Sequence, residues 1–310
     1  MSFSALAARA RLRSNAAVEK RLVWILGSPR TGSTWLLNLL GFDPRVIRID
    51  EPTVGLHVGA LMLDWVSVRP RRIPVDRMRV NDARADVPSY FFSRRYEGAW
   101  RPRLRDLILG RLRAEIVDEA AARGVGDPIA AIKEPIGSQG ADIIMSLLPG
   151  SRMIFLLRDG RDVIDSELDA FKEGGWVAEM LPGFETVEQD RLSFVNSRAQ
   201  AWLCRTEAVQ RAFDGHQPGL RAMVRYEDLL RDPAATLESL VRWLGLSLDG
   251  ERIGEAVAAT DFERIDPSER GPGRFARAAT PGLWRENLSA DEQRLIDELM
   301  GPKLRELGYT

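Results

Sequence analysis

Residues 27–34 read Gly-Ser-Pro-Arg-Thr-Gly-Ser-Thr, between an apolar run, Leu22–Leu26, and a second one that begins at Trp35. Strand, glycine-rich turn, helix is the layout that presents backbone N–H groups to an anion. Gly27 and Gly32 have the spacing of the nucleoside-triphosphate loop G-x-x-x-x-G-K-[ST], but Ser33 stands where the lysine would be. The only cation in the loop is Arg30. Further polar groups follow other apolar runs: Asp50 and Glu51, Lys133 and Glu134, Arg158 with Asp159 and Arg161, and Tyr226 with Glu227 and Asp228. Each has a structural alternative. Arg158 and Arg161 could pair with Asp159, Asp162 and Asp165, Lys133 with Glu134 could be a surface pair, and Glu51 before Pro52 could cap a turn. Combined with the loop they point to a site for a polyanionic nucleotide with a carboxylate base for an incoming nucleophile.

Those groups need a frame. Short apolar runs alternate with helix-like runs, which predicts an α/β fold, a parallel sheet flanked by helices with ligands beyond the carboxyl ends of the strands. The strands are expected at Leu22–Leu26, Val46–Ile49, Ile129–Ile132, Met153–Leu157 and Leu220–Arg225. Helices are expected at Leu107–Arg123, Ala141–Leu148, Asp162–Phe171, Val187–Phe213, Ala234–Leu244 and near 290–300, where Ser289-Ala290-Asp291-Glu292 is a capping box. Residues 1–20 read as a loosely held helical arm and 21–310 as one domain. Within it, residues 66–105 hold eleven arginines, no lysine and four acidic residues. That stretch, with Tyr90, Phe91, Phe92 and Tyr96, reads as an insertion or lid, either an acceptor or anion-steering surface or a solvated charged face.

The 310 residues suffice for one large α/β domain, and a net charge of −1 gives no pointer to nucleic acid. One cysteine, Cys204, rules out an intrachain disulfide and suggests a reducing compartment. With only His57 and His216 beside it, a Cys/His zinc cluster is excluded. Neither a secretory signal nor a membrane-spanning run stands out, so the expectation is a cytoplasmic protein without a stable membrane anchor.

The chain resembles the sulfotransferases that use 3′-phosphoadenosine-5′-phosphosulfate (PAPS), from about residue 22 to residue 308. Pro29-Arg30-Thr31-Gly32-Ser33-Thr34-Trp35 is similar to that family's 5′-phosphosulfate loop, P-[KR]-[ST]-G-[ST]-T-W. The stretch from Arg158 to Ser166 is similar to its 3′-phosphate motif, an arginine with a serine eight residues later. Phe275 to Trp284 resembles its C-terminal F-x-R-K-G-x-x-G-x-W, with Ala278 and Ala279 in place of the lysine and glycine, so Arg277 alone carries over. The resemblance implies a P-loop NTPase-like sulfotransferase fold, PAPS as donor, PAP as product and no required metal. It implies contacts from Arg30, Thr31, Gly32, Ser33 and Thr34 to the 5′ end, from Trp35 and Tyr226 near adenine, and from Arg158, Ser166 and Arg277 to the 3′-phosphate. The histidine of many cytosolic members is missing from Lys133-Glu134-Pro135. The chain is more similar to the branch that includes bacterial enzymes and tyrosylprotein sulfotransferases, which makes Glu51 the expected base, with Glu134 and His57 as alternatives and Lys133 and Arg30 as the charge-stabilising cations. The acceptor stays open among small molecules, glycans, lipids and peptides, as does the oligomeric state. Two rival functions remain: a P-loop kinase, which would need ATP and magnesium, and a non-catalytic binder of nucleotides or sulfated ligands, which would bind PAP without turnover.

Overall fold

The computed structural model describes residues 3–62, 86–180 and 190–310. Five strands, β1 (Leu22–Leu26), β2 (Val46–Asp50), β3 (Ile129–Lys133), β4 (Arg152–Leu157) and β5 (Arg221–Arg225), form one parallel sheet in the order β2-β3-β1-β4-β5. Each matches its sequence expectation to within one residue at either end. The runs are short, rich in β-branched residues and bounded by turn formers such as Pro149-Gly150 before β4.

Helices fill both faces: α1 (Phe3–Arg11), α2 (Asn15–Glu19), α3 (Ser33–Leu40), α4 (Val54–Met62), α5 (Glu97–Arg123), α6 (Ala141–Leu147), α7 (Gly160–Phe171), α8 (Trp176–Met180), α9 (Arg191–Gly215), α10 (Tyr226–Arg231), α11 (Pro233–Leu244), α12 (Gly250–Ala259), α13 (Trp284–Asn287) and α14 (Ala290–Glu306). The alternation of side chains along β1 sorts the core. Leu22, Trp24 and Leu26 join the cluster with α5, α6, α9 and α14, while Val23 and Ile25 join the one with α3, α11 and α12.

Several boundaries differ from expectation. Helix α5 starts ten residues before the expected Leu107, with Pro102 inside it, held there by Arg101 donating to Glu97 at 2.8 Å and to the Ser146 carbonyl at 2.6 Å. The last helix runs six residues beyond 300. Helices α1 and α2 confirm the helical character of the N-terminal stretch, but it is not loosely held: Ala8, Leu12 and Val18 lie fully in the core. Of the arginine-rich stretch, 66–85 falls outside the described residues. Residues 86–105 form a turn, the start of α5 and an edge-on aromatic cluster of Tyr90, Phe91, Phe92 and Trp100. Residues 187–189 of the expected Val187–Phe213 helix also lie outside the described residues. Among the described residues no helix is long and apolar enough to cross a membrane.

Candidate functional site

The glycine-rich turn leaves β1 at the middle of the sheet, where β3 and β4 flank it. The Gly27 N–H donates to Ser138 Oγ at 2.9 Å, and a Cβ on Gly27 would lie 2.1 Å from the Leu156 carbonyl oxygen, so only glycine fits. Thr31 Oγ1 donates back to the Ser28 carbonyl at 2.8 Å, tightening the turn. Arg30 and Gly32 adopt left-handed backbone, with φ of 65° and 86°. Such reversals turn successive N–H groups toward one concavity. Gly32 then precedes α3 without any side-chain cap, so the N–H groups at the start of α3 have no side chain of their own to satisfy them. Leu36, Leu37, Leu39 and Leu40 anchor that helix in the core and fix its open end.

Two guanidinium groups meet at this turn. Arg30 Nε donates to Ser166 Oγ at 2.9 Å and its Nη2 to the Phe275 carbonyl at 2.9 Å, with the group 5.3 Å from the Phe275 ring centre and 5.6 Å from that of Trp176. Burial, and then the Arg158 charge beside it, lower the Arg30 guanidinium to about 10, so it stays charged at neutral pH. Arg158 Nη1 donates to the Arg30 carbonyl at 2.7 Å and the group lies over the Tyr226 ring at 4.4 Å. Arg158 Nε is buried and has no hydrogen-bond partner, as expected of a donor kept for a ligand. The Tyr226 ring in turn touches the turn: a Cβ on Gly32 would lie 2.6 Å from it. Trp35 stands edge-on to Tyr226 at 6.3 Å and donates from Nε1 to Thr260 Oγ1 at 3.1 Å. Arg277 lies close by but is engaged by carboxylates, Asp165 at 2.8 Å and Asp169 at 3.7 Å.

Across the turn, β2 and β3 end in register with Asp50 opposite Lys133. The carboxylate pair at the end of β2, with no cation beside it on its C-terminal side, therefore gains one from β3. Lys133 Nζ lies 2.7 Å from Asp50 Oδ1 and 3.0 Å from Glu51 Oε1, and donates to Thr34 Oγ1 at 2.9 Å. Lys133 is no surface residue, since its side chain is 6% exposed. Glu51 takes left-handed backbone, φ 47°, and its side chain opens on the cavity described below.

The two alternative bases occupy other positions. Glu134 is buried beneath α4, where Gly55 N–H donates to Oε1 at 3.2 Å, and it does not line the cavity. Burial pushes its carboxyl up to about 7, against the pull of the N–H groups of Gly55, Val54 and Thr53. His57 lies inside α4, 3.2 Å from Thr53 Oγ1, and also lies off the cavity. Arg161 has a structural position: it pairs with Asp159 at 2.8 Å, stacks on Trp284 at 4.3 Å and donates to the Thr310 carbonyl at 2.9 Å. Asp162 accepts the Gly282 N–H at 2.8 Å, which ties the C-terminal motif to the start of α7.

The glycine-rich turn, Arg30 with Arg158, and the Glu51–Lys133 pair open on one cavity of about 890 Å³, whose wall includes Arg30, Ser33, Glu51, Lys133, Arg158 and Ser166. That lies in the upper range for small-molecule sites. Among the described residues, no group of three His, Cys, Asp or Glu side chains stands in metal-holding geometry. The same wall includes residues that sequence reasoning passed over: Thr260, Trp176, Arg198 and Arg205. The two arginines stand seven residues apart, on one face of α9 where Val195, Trp202 and Val209 are buried. An arginine at a core position of an amphipathic helix was the available signal.

Residues 23–250 match the model of a family described as Sulfotransferase family. Sulfotransferase 1C2 of Rattus norvegicus is 20% identical over 168 residues, covering 49% of this chain and 54% of the relative. The chain thus spans about half the length of that curated relative. A crystal structure of sulfotransferase STF9 from Mycobacterium avium matches with a TM-score of 0.53 at 15% identity, over 98% of this chain and 86% of that one. Mouse sulfotransferase SULT7A1 complexed with PAP matches at 0.50 and 10% identity, over 92% and 85%. At these identities the likeness is one of fold, the P-loop NTPase-like sulfotransferase fold.

Proposed function

The chain belongs to the sulfotransferase family, and from that premise we propose that it moves a sulfuryl group from PAPS to a hydroxyl or amine acceptor and releases PAP. The observation that carries the reading is that one cavity wall holds two clusters: Arg30, Arg158 and Ser166 joined by hydrogen bonds, and the Glu51–Lys133 pair. The donor set fits a bisphosphorylated nucleotide. The unpartnered Arg158 Nε and the Ser166 hydroxyl suit a 3′-phosphate, and the turn from Thr31 to Thr34 suits the 5′ end. Arg277 can swing from Asp165 toward the same phosphate, and Trp35 with Tyr226 borders the base. That mouse SULT7A1 binds PAP supports this assignment.

When bound, PAPS supplies the sulfuryl group and the S–O bond that breaks, with the bridging oxygen leaving on the 5′-phosphate of PAP. Glu51 accepts the proton of the acceptor O–H or N–H while that atom forms its bond to sulfur. Lys133, held by Thr34 and both carboxylates, and Arg30 face the charge that develops on sulfuryl and phosphate oxygens. Lys133 also keeps the Glu51 carboxylate oriented. A phosphotransferase would want a lysine where Ser33 stands, which disfavours the kinase reading. The single cysteine supports a cytoplasmic setting, and the bacterial-branch motifs support a bacterial one.

The test is calorimetric titration of wild type and Arg158→Ala with PAP and, separately, with ATP plus magnesium. PAP should bind, and the variant should lose roughly tenfold or more in affinity, the range of a charge-assisted hydrogen bond. Magnesium-dependent ATP binding with indifference to PAP would remove the sulfotransferase reading in favour of the kinase.

A further inference from the structure

We infer that the acceptor carries an anionic group, a carboxylate or a phosphate monoester, besides the hydroxyl or amine that is sulfated, and that Arg205 together with Arg198 receives it. The inference rests on the function proposed above and extends it from the donor to the substrate class of the acceptor.

Arg205 lies on α9 with only 7% of its surface exposed, and it lines the cavity. Among the described residues its guanidinium has no hydrogen-bond or ion-pair partner; the titratable groups that act on it are Glu167, Arg198, Cys204 and Glu51. A guanidinium drawn this far from water without a partner is costly unless something else supplies the acceptor oxygens. Arg198 stands two turns earlier on the same helix. Its Cζ lies 5.2 Å from the centre of the Phe171 ring and 5.0 Å from that of Phe194, two rings that touch each other at 5.4 Å, so both aromatic contacts come from one side. Its Nε is buried without a hydrogen bond, and Glu167 Oε2 is 4.0 Å away, at the outer limit of an ion pair.

The local charge does not balance. Arg198 and Arg205 share Glu167, which also faces Arg30. The other nearby carboxylate, Glu51, is already bonded to Lys133 at 3.0 Å. A wall of two guanidiniums with one shared carboxylate therefore remains, meeting α7 at Glu167, the residue after Ser166. Its planar donors match a carboxylate or phosphate. Glu51 and Arg205 line the same cavity, so one ligand can present its nucleophile to the carboxylate and its anion to the arginine. In the same wall Trp176, Val177 and Ile136 offer apolar surface for the body of such a molecule.

The test uses PAP-saturated full-length protein, titrated calorimetrically with three probes: 4-hydroxyphenylacetate, 4-hydroxyphenyl phosphate and the neutral 4-hydroxyphenylacetamide. At least one anion should bind tenfold or more tighter than the amide, and the tighter of the two names the anionic group. Arg205→Met should erase that preference with PAP affinity unchanged, Arg205→Lys should restore part of it, and Arg198→Met should reduce it. Equal binding of all three probes, binding of none, or a preference that survives both methionine variants would overturn the inference. So would a variant that weakens PAP as much as the anions, because it would assign Arg205 to the donor. If Arg205→Met does not fold, Arg198→Met carries the same comparison from a more exposed position. Failure of wild type to bind PAP appears before any probe is added, and it would remove the donor assignment together with this inference.

Discussion

At the scale of single residues, the Glu51–Lys133 pair sets how the proposed base works. A carboxylate bonded to a buried ammonium at 3.0 Å is held in one orientation. Replacing it with glutamine leaves the shape and the Lys133 contact while removing the proton acceptor. Glu51→Gln should therefore lower turnover roughly a hundredfold or more, while PAP affinity by calorimetry changes by no more than about threefold. Turnover within a few-fold of wild type would transfer the role elsewhere. Both residues were legible in the sequence as polar groups after apolar runs; their pairing was not. It arises because β2 and β3 are neighbours in register, Asp50 opposite Lys133, and no local pattern encodes which strands lie side by side. Arg198 and Arg205 went unseen for a related reason. Along α9 they share the buried face of Val195, Trp202 and Val209, and only the packing of α9 shows that this part of the face borders a cavity.

At the scale of elements, Glu134 links β3 to α4. Its carboxylate sits at the unsatisfied N–H groups that open α4, an arrangement that favours charge, yet burial wins and pushes the group up to about 7. The folded protein thus keeps a proton that the unfolded chain releases near the ordinary glutamate value. Between about pH 4.5 and 7 the native state binds more protons, so this group's contribution to stability falls as pH rises through that window. Glu134→Gln retains the acceptor oxygen for Gly55 without the titration. Its unfolding midpoint relative to wild type should climb from pH 5 to pH 8, by an amount of order 2 kcal/mol in denaturant titrations. A constant difference across that range would contradict the buried-carboxyl account. The element ends were legible wherever a turn former or cap marks them, as at Asp232-Pro233 before α11 and Gly245 after it. They were not legible at α5, where Pro102 and a run of arginines mask the first turns of a helix that tertiary contacts hold.

At the scale of the whole molecule, both ends of the chain are built into the fold. Helices α1 and α2 put Ala8, Leu12 and Val18 into the core, and Glu19 accepts the Gly150 N–H at 2.6 Å just before β4. Leu12→Ala should accordingly cost about 2–4 kcal/mol in chemical denaturation, as for a leucine inside a packed core. A cost below about 0.5 kcal/mol would instead suit a detachable arm. At the other end Tyr309 donates to Glu227 at 3.1 Å, and Glu227 accepts the Asp159 N–H at 2.9 Å. The wall that holds Arg158 is thus braced from behind. On that wall Arg30 and Arg158 stand close enough for each to press on the other's charge, with Arg277 adding to it. Like charges so confined act as a compressed spring, and the small oxyanions of ordinary buffers are the right size to relax it. Ammonium sulfate or phosphate carried over from purification would raise thermal stability and compete with the donor, so an apparent lack of activity in such a buffer would report on the buffer.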